Sequence, residues 1–369
     1  MKKTLCALAA LSVAGTAFAQ SSVTIYGTMD AGIGYYRGEG VGSQLKLISG
    51  GNAQTKLGFR GREDLGGGTY AAFELESGFG ADSGVGQASS ANNQALVGVA
   101  NAPATQGITF NRKAFVSLVG PWGDVRLGRD YVPTFWQLFA YDPFRTGVGF
   151  GSATTQGGSP ITQLRASNSI GYFTPGCYSF NCKGFFAQAM YALGENASNA
   201  ANDKDGNVAG LRVGYGGANW DVSAGQTKTS NVGIGDFTQT VVGGAWENAA
   251  VRLMAMAGEH KTGLPVAALG NGTKAPFAQV SAFIYTGRGH IPVAFTRVKR
   301  NDVADSSASK IAIGYVHNLS KRTAVYTTYA YIDNKNAMAV PVNAGADAGP
   351  TPLPGRSSSG FDLGIRHNF

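Results

Sequence analysis

The sequence has 369 residues, of which only 14% are charged and 54 are glycine, about twice the usual share of glycine. Its formal net charge is +8 at pH 7, but Lys and Arg lie singly or in adjacent pairs, and the absence of a basic stripe argues against nucleic-acid binding. No apolar run outside the N-terminus reaches the ~18 residues that a membrane-spanning helix requires. Low charge without such a run leaves one way to cross a membrane, a closed β-barrel whose strands are apolar at alternate residues.

The N-terminus predicts export from the cytoplasm. Lys2 and Lys3 precede an apolar run, and Ala17-Phe18-Ala19 forms the small-x-small pattern of a signal-peptidase site. We expect residues 1–19 to be a cleaved signal peptide and residues 20–369 to form the barrel domain; an N-terminal membrane anchor is the alternative. Cleavage removes two lysines and lowers the formal charge from +8 to +6.

The rest of the chain divides into stretches of about ten residues rich in Val, Ile, Phe, Tyr and Thr, the length of a tilted strand that crosses a bilayer. "SVTIYGTMDAGIGYY" and "TKLGFRGRE" come first, and the short connection "DLGGGT" leads to "YAAFELESGF". Short turns alternate with long polar segments at 79–109, 131–164, 195–207, 261–273 and 334–357. This alternation is typical of outer-membrane barrels, and the strand count is about sixteen.

Aromatic residues near the predicted strand ends indicate girdles at the two membrane interfaces. The residues assigned to these girdles are Tyr26, Tyr35, Tyr36, Tyr70, Trp122, Trp220, Trp246, Tyr326, Tyr329 and Tyr331.

Two cysteines remain after signal cleavage, Cys177 and Cys182, with four residues between them. In an exported protein this spacing favours a small local disulfide of structural role. A metal site is the alternative, but no further Cys or His ligands lie nearby in the sequence.

The C-terminal segment "FDLGIRHNF" alternates like a strand up to the last residue. A barrel has no free edge only if its last strand pairs with its first. We therefore expect this segment to close the barrel, with Phe361, Leu363, Ile365 and Phe369 facing lipid.

Four segments together resemble the Gram-negative trimeric porins, and most of all the β-proteobacterial general porins. They are "SSVTIYGTMDAGI", "LGFRGREDLGGG", "NRKAFVSLVGPWGDVRLGRDY" and the terminal "GIRHNF", in the family's order. The resemblance implies an all-β, sixteen-stranded antiparallel transmembrane barrel with an inward-folded third loop. It also implies a homotrimer in the outer membrane, in contact with lipid and lipopolysaccharide.

The resemblance also implies which residues line the channel. Lys56, Arg112 and Arg165 match the family's basic wall positions, and Arg60 lies on the same strand face as Lys56. Ordinary charges at the membrane rim are the alternative for Arg112 and Arg165.

The inward loop is expected to run from about Tyr131 to Phe150 and to carry Asp142 and Arg145. Asp142 is the candidate acid facing the basic wall, but because it precedes Pro143 it is equally a candidate for a turn-forming aspartate.

The resemblance implies a general diffusion porin that passes ions and small hydrophilic solutes without a cofactor or a metal, and the positive charge balance favours a weak anion preference. Basic side chains in a narrow passage raise the local anion concentration. An enzyme is disfavoured because the four histidines are widely spaced and no hydrolase motif occurs. The alternative function is an adhesin, or another surface-interaction barrel, whose long loops bind partners.

Overall fold

The computed structural model describes residues 22–94, 107–145, 151, 161–177, 182–233, 235–262, 274–301, 306–343 and 347–369. The predicted signal peptide, residues 1–19, therefore lies outside the described residues. No helix in these ranges is long and apolar enough to cross a membrane.

The described residues form one antiparallel sheet and one α-helix. The first strands are β1 (Ser22–Gly38), β2 (Gly42–Ser49), β3 (Lys56–Gly66), β4 (Thr69–Gly78), β5 (Lys113–Gly120) and β6 (Gly123–Tyr131). Helix α1 (Pro133–Ala140) follows β6. The remaining strands are β7 (Arg165–Phe173), β8 (Gly184–Ala192), β9 (Val208–Gly216), β10 (Trp220–Thr229), β11 (Phe237–Glu247), β12 (Val251–Lys261), β13 (Lys274–Thr286), β14 (Gly289–Lys299), β15 (Ser307–Asn318), β16 (Thr323–Lys335) and β17 (Ser358–Asn368).

Strand β15 illustrates why these sequences form a barrel rather than a soluble sandwich. Ile311, Ile313 and Tyr315 are 50%, 49% and 40% exposed, whereas Lys310 and Ala312, on the other face, are each 2% exposed. Because successive side chains of a strand point to opposite faces, these three large apolar residues all lie outside. A polar interior and an apolar exterior suit a lipid surround.

Strands β2 and β3 are two parts of one barrel strand, because both pair with β1. Residues 42–49 pair with 31–38 of β1, and residues 56–62 pair with 22–28. The break between them is held by Asp30, whose Oδ2 accepts hydrogen bonds from the backbone N–H groups of Asn52 (3.0 Å) and Ala53 (2.6 Å). With this pair counted once, the barrel has the predicted sixteen strands.

The barrel closes between its first and last strands. Strand β17 pairs with β1 from Thr28–Asn368 to Gly38–Ser358, and the backbone of Phe369 exchanges two hydrogen bonds of 3.1 Å with Gly27. The side chains of Phe361, Leu363, Ile365 and Phe369 are 44–55% exposed on the outer face. The predicted fold class, a closed sixteen-stranded antiparallel barrel, is confirmed.

The girdle assignment is wrong for four of the aromatic residues. Tyr36 and Tyr326 are 1% and 2% exposed, and Tyr26 and Tyr70 lie on the inner face, where they contact charged side chains. The hydroxyls and ring faces of these residues contact polar and charged groups inside the barrel. An aromatic residue near a strand end looks the same in the sequence whether it has this role or belongs to a girdle. The residues that do present exposed aromatic rings on the outer face or at the turns are Tyr35, Trp122, Trp220, Trp246, Tyr329 and Tyr331.

The connection after β6, predicted as the inward-folded third loop, folds into the barrel. Helix α1 starts with Pro133, a favoured first helical residue, and Thr134 hydrogen-bonds Thr227 (2.9 Å) on the inner face of β10. Gln137 Nε2 donates to the Val241 carbonyl oxygen (3.0 Å) on β11. Because Thr227 and Val241 both occupy inward-facing positions of their strands, the helix lies against the inner wall.

Candidate pore constriction

A group of basic side chains lines the inner wall on strands other than those that helix α1 packs against. We call it the basic wall and define it by Lys56, Arg60, Arg112, Lys113 and Arg165. Strand alternation places Lys56 and Arg60 on one face of β3. Arg112 and Lys113 stand at the start of β5, and Arg165 at the start of β7. Strands β3, β5 and β7, with β4 and β6 between them, thus bring together residues that are separated by as many as 109 positions in the sequence.

Glu76 on β4 joins two of these cations. Its carboxylate lies 2.9 Å from Lys56 Nζ and 2.6 Å from Arg112 Nε, and Glu76 is only 1% exposed. Ion pairs that are shielded from water are held more firmly than those on an open surface. Arg112 is accordingly 8% exposed and is fixed by Glu76 as part of the wall rather than left projecting into the lumen.

Tyr131, the last residue of β6, connects the basic wall to the inward loop. Its hydroxyl accepts hydrogen bonds from Arg112 (2.7 Å) and Arg165 (3.2 Å). Its ring stacks on Phe135 of α1, with 3.9 Å between ring centroids. Two guanidinium groups and the loop helix are thereby held in fixed relative positions.

The basic wall carries a net positive charge. Lys113 Nζ lies 3.0 Å from Glu74, so the five cations of the basic wall are opposed by two carboxylates, Glu74 and Glu76, and the group carries +3. Arg60 is exposed to the lumen and its guanidinium carbon lies 5.2 Å from the Tyr26 ring centroid. Such a cation on an aromatic face is held in place without losing its charge.

Sequence reasoning missed Glu74, Glu76, Lys113 and the inner role of Tyr26. A signal was present for the acids, because Glu74 and Glu76 alternate with Leu75 in "YAAFELESGF". Two acids at a spacing of two residues share one face of a strand. That face is the inner one here, and the Tyr26 hydroxyl donates to Glu74 (2.6 Å) and Glu76 (3.1 Å).

The inward loop presents a cation rather than an acid to the lumen. Asp142 is 2% exposed, and its Oδ1 accepts a hydrogen bond from the Phe144 backbone N–H (3.0 Å), the turn-forming role left open by the sequence. Arg145 is exposed and lies 4.8 Å from the Phe139 ring centroid. Loss of hydration among the surrounding walls, together with the positive charge of Arg366, lowers the pKa of Arg145, whereas Asp142 acts in the opposite direction. Residues 146–150, the predicted end of this loop, lie outside the described residues.

The cysteines lie in the connection between β7 and β8. The Sγ atoms of Cys177 and Cys182 are bonded, and the guanidinium of Arg212 donates to Cys177 Sγ at 3.3 Å. Phe186 packs with both cysteines. In the described ranges no group of three or more His, Cys, Asp and Glu side chains is placed to hold a metal ion.

Comparison with known proteins assigns the architecture to a family. A model described as "Gram-negative porin" matches residues 4–337. The chain belongs to the Gram-negative porin family. It is 35% identical to outer membrane porin protein 32 of Delftia acidovorans, over the full length of both chains. It is also 34% identical to an outer membrane porin protein of Bordetella pertussis over 232 residues, which cover 58% of this chain and 52% of the relative.

Solved structures agree with this assignment. The anion-selective porin from Comamonas acidovorans superposes with a TM-score of 0.76 at 32% identity, covering 95% of this chain and 100% of the other. The trimer form of OmpT of Vibrio cholerae superposes with a TM-score of 0.64 at 15% identity, a likeness of fold alone. The porin is thus an integral β-barrel of the outer membrane, and its short turns mark the periplasmic end.

Proposed function

We propose that this porin is a passive diffusion channel with a weak preference for anions, through which ions and small hydrophilic solutes cross the outer membrane. The observation that carries the proposal is the +3 excess of the basic wall, faced by an inward loop that exposes Arg145 while Asp142 is turned into its own backbone. In a narrow passage with low-dielectric walls, such an excess raises the local anion concentration. The Comamonas acidovorans relative is an anion-selective porin, which supports the same direction of selectivity.

We further propose that residues 1–19 are removed on export and that the mature chain assembles as a homotrimer in contact with outer-membrane lipid and lipopolysaccharide. The exposed apolar outer face, with side chains such as Ile33, Leu47 and Leu363, suits burial against lipid or a second copy. OmpT of Vibrio cholerae, an outer membrane protein of the same fold, is recorded in a trimer form. Catalysis is not part of the proposed function, because the chemistry of the inner wall is that of ion pairs that hold charge in place.

The test is single-channel recording in a planar bilayer under a salt gradient. We expect conductance to rise in steps that close in groups of three, with a reversal potential that favours chloride over potassium. A reversal potential that favours potassium would refute the anion preference and leave the channel intact. A folded barrel that passes no current would refute diffusion and favour the surface-interaction function of the long loops.

A further inference from the structure

A recess lies on the inner wall on the periplasmic side of the basic wall. It has a volume of about 290 Å³ and is lined by β1 and β3 to β6. Tyr70, just after the turn between β3 and β4, and Val119, just before the turn between β5 and β6, place it near the periplasmic end. Its volume lies near the lower limit of the range for small-molecule sites, about 300–1,000 Å³.

Two arginines form the rim of the recess. Arg60 and Arg62 share one face of β3, and both are exposed to the lumen. The guanidinium carbon of Arg62 lies 3.7 Å from the Tyr70 ring centroid, and that of Arg60 lies 5.2 Å from the Tyr26 ring centroid. Within the described ranges neither forms a salt bridge with a carboxylate. Stacking orients a guanidinium while leaving its N–H groups available to a ligand oxygen.

The floor of the recess combines apolar side chains with one arginine that is paired to two carboxylates. Phe115 and Val119 are 7% and 4% exposed. Arg126 lies over the Phe115 ring, 4.7 Å from its centroid, and forms ion pairs with Asp124 (2.8 Å) and Asp130 (2.7 Å). Glu74 also lines the recess, but its carboxylate is paired with Lys113 (3.0 Å). The two rim arginines are therefore the cations of the recess that form no ion pair within the described ranges.

We propose that this recess is a binding subsite for small aromatic monocarboxylates that adjoins the basic wall and shares Arg60 with it. The carboxylate accepts hydrogen bonds from Arg60 and Arg62 at the rim, and the ring lies on the floor, against Arg126 and beside Phe115 and Val119. A guanidinium fork matches a carboxylate in geometry as well as in charge. Because the rim is open to water, binding is weak enough for the anion to leave, as conduction requires. The inference rests on the proposed anion preference.

The probe is benzoate, with acetate and neutral benzamide as matched compounds. Chloride current through single channels is recorded while each compound is added on the periplasmic side. We expect benzoate to reduce the current at concentrations at which acetate and benzamide have little effect, because only benzoate offers both the charge and the ring. In Arg62→Gln the half-inhibiting benzoate concentration rises about tenfold, the size expected for losing a charge-assisted hydrogen bond.

Arg288→Gln is the matched control, since it removes an exposed arginine from the periplasmic turn between β13 and β14. We expect this variant to keep the wild-type benzoate sensitivity. If Arg62→Gln yields no folded barrel, Arg60→Gln serves in its place.

Two results would overturn the subsite: equal inhibition by acetate and benzoate, or wild-type sensitivity in the rim variants. These results are distinguishable from failure of the proposed function. If the channel shows no chloride preference but benzoate block still depends on Arg62, the anion preference is refuted and the subsite is supported.

Discussion

Reversing the charge of Arg60 is expected to reduce the chloride-to-potassium permeability ratio about fivefold at 0.1 M salt. Arg60→Glu lowers the net charge of the basic wall from +3 to +1, and because Arg60 is exposed, the new carboxylate remains in water. A unit charge about 8 Å from a permeating ion contributes ~0.5 kcal/mol in water. Reversing the charge changes this interaction free energy by twice that amount. Screening with a Debye length of about 10 Å then reduces the change in interaction free energy to ~0.5 kcal/mol for each permeating ion. Anions lose this amount and cations gain it, so the ratio changes about fivefold.

The assay is the reversal potential in asymmetric KCl at two ionic strengths. At 1 M salt the Debye length falls to about 3 Å, and the same variant should change the ratio by only ~1.3-fold. Arg288→Glu, at a periplasmic turn away from the basic wall, is the matched control and should leave the ratio close to wild type. Glu76→Gln should change the ratio in the opposite direction, since it raises the wall to +4. A ratio unchanged in Arg60→Glu at low salt would refute the placement of Arg60 along the ion path.

Three further variants test the barrel and its loop. Gly27→Val should strongly reduce the yield of heat-modifiable folded barrel on unheated gels, because a Cβ at this position would lie 2.8 Å from Cε2 of the Phe369 ring at the seam and 2.6 Å from the Lys56 carbonyl oxygen. Ala31→Val, at an exposed position on the same strand, should fold normally. Equal yields would contradict the packing of Phe369 against Gly27 at the closed seam. Tyr141→Phe removes a 2.7 Å hydrogen bond that holds the inward loop to β10 and should increase open-channel current noise, whereas unchanged noise would show that its other contacts suffice. Cys177→Ser should lower the free energy of unfolding by about 2 kcal/mol, the value for a short disulfide loop, measured by urea titration of the folded band; a wild-type titration midpoint would contradict this.

Relatively little in the inner wall could be predicted residue by residue. Lys56, Arg60, Arg112 and Arg165 were found by motif and by strand parity, and they do lie on neighbouring inner-wall elements. The sequence left open whether Arg112 lines the channel or is an ordinary charge at the membrane rim. Its position in the structure depends on Glu76 from a different strand, 2.6 Å away. Tyr26 was misassigned to a girdle because its two carboxylate partners lie 48 and 50 residues further along the chain.

The sequence by itself determined the barrel. Alternation of apolar and small or polar residues, short turns between long polar segments, and a last strand that runs to the terminal residue are local patterns, and each follows from a strand having lipid on one side and water on the other. The tertiary structure alone decided the balance of charge in the passage. Whether a lysine or arginine is neutralised, stacked or exposed depends on which strands lie side by side. The balance of charge depends also on whether the Asp142 carboxylate faces the basic wall or binds its own backbone. Strand neighbours and loop direction are set by closure of the whole barrel, a constraint that no single segment carries.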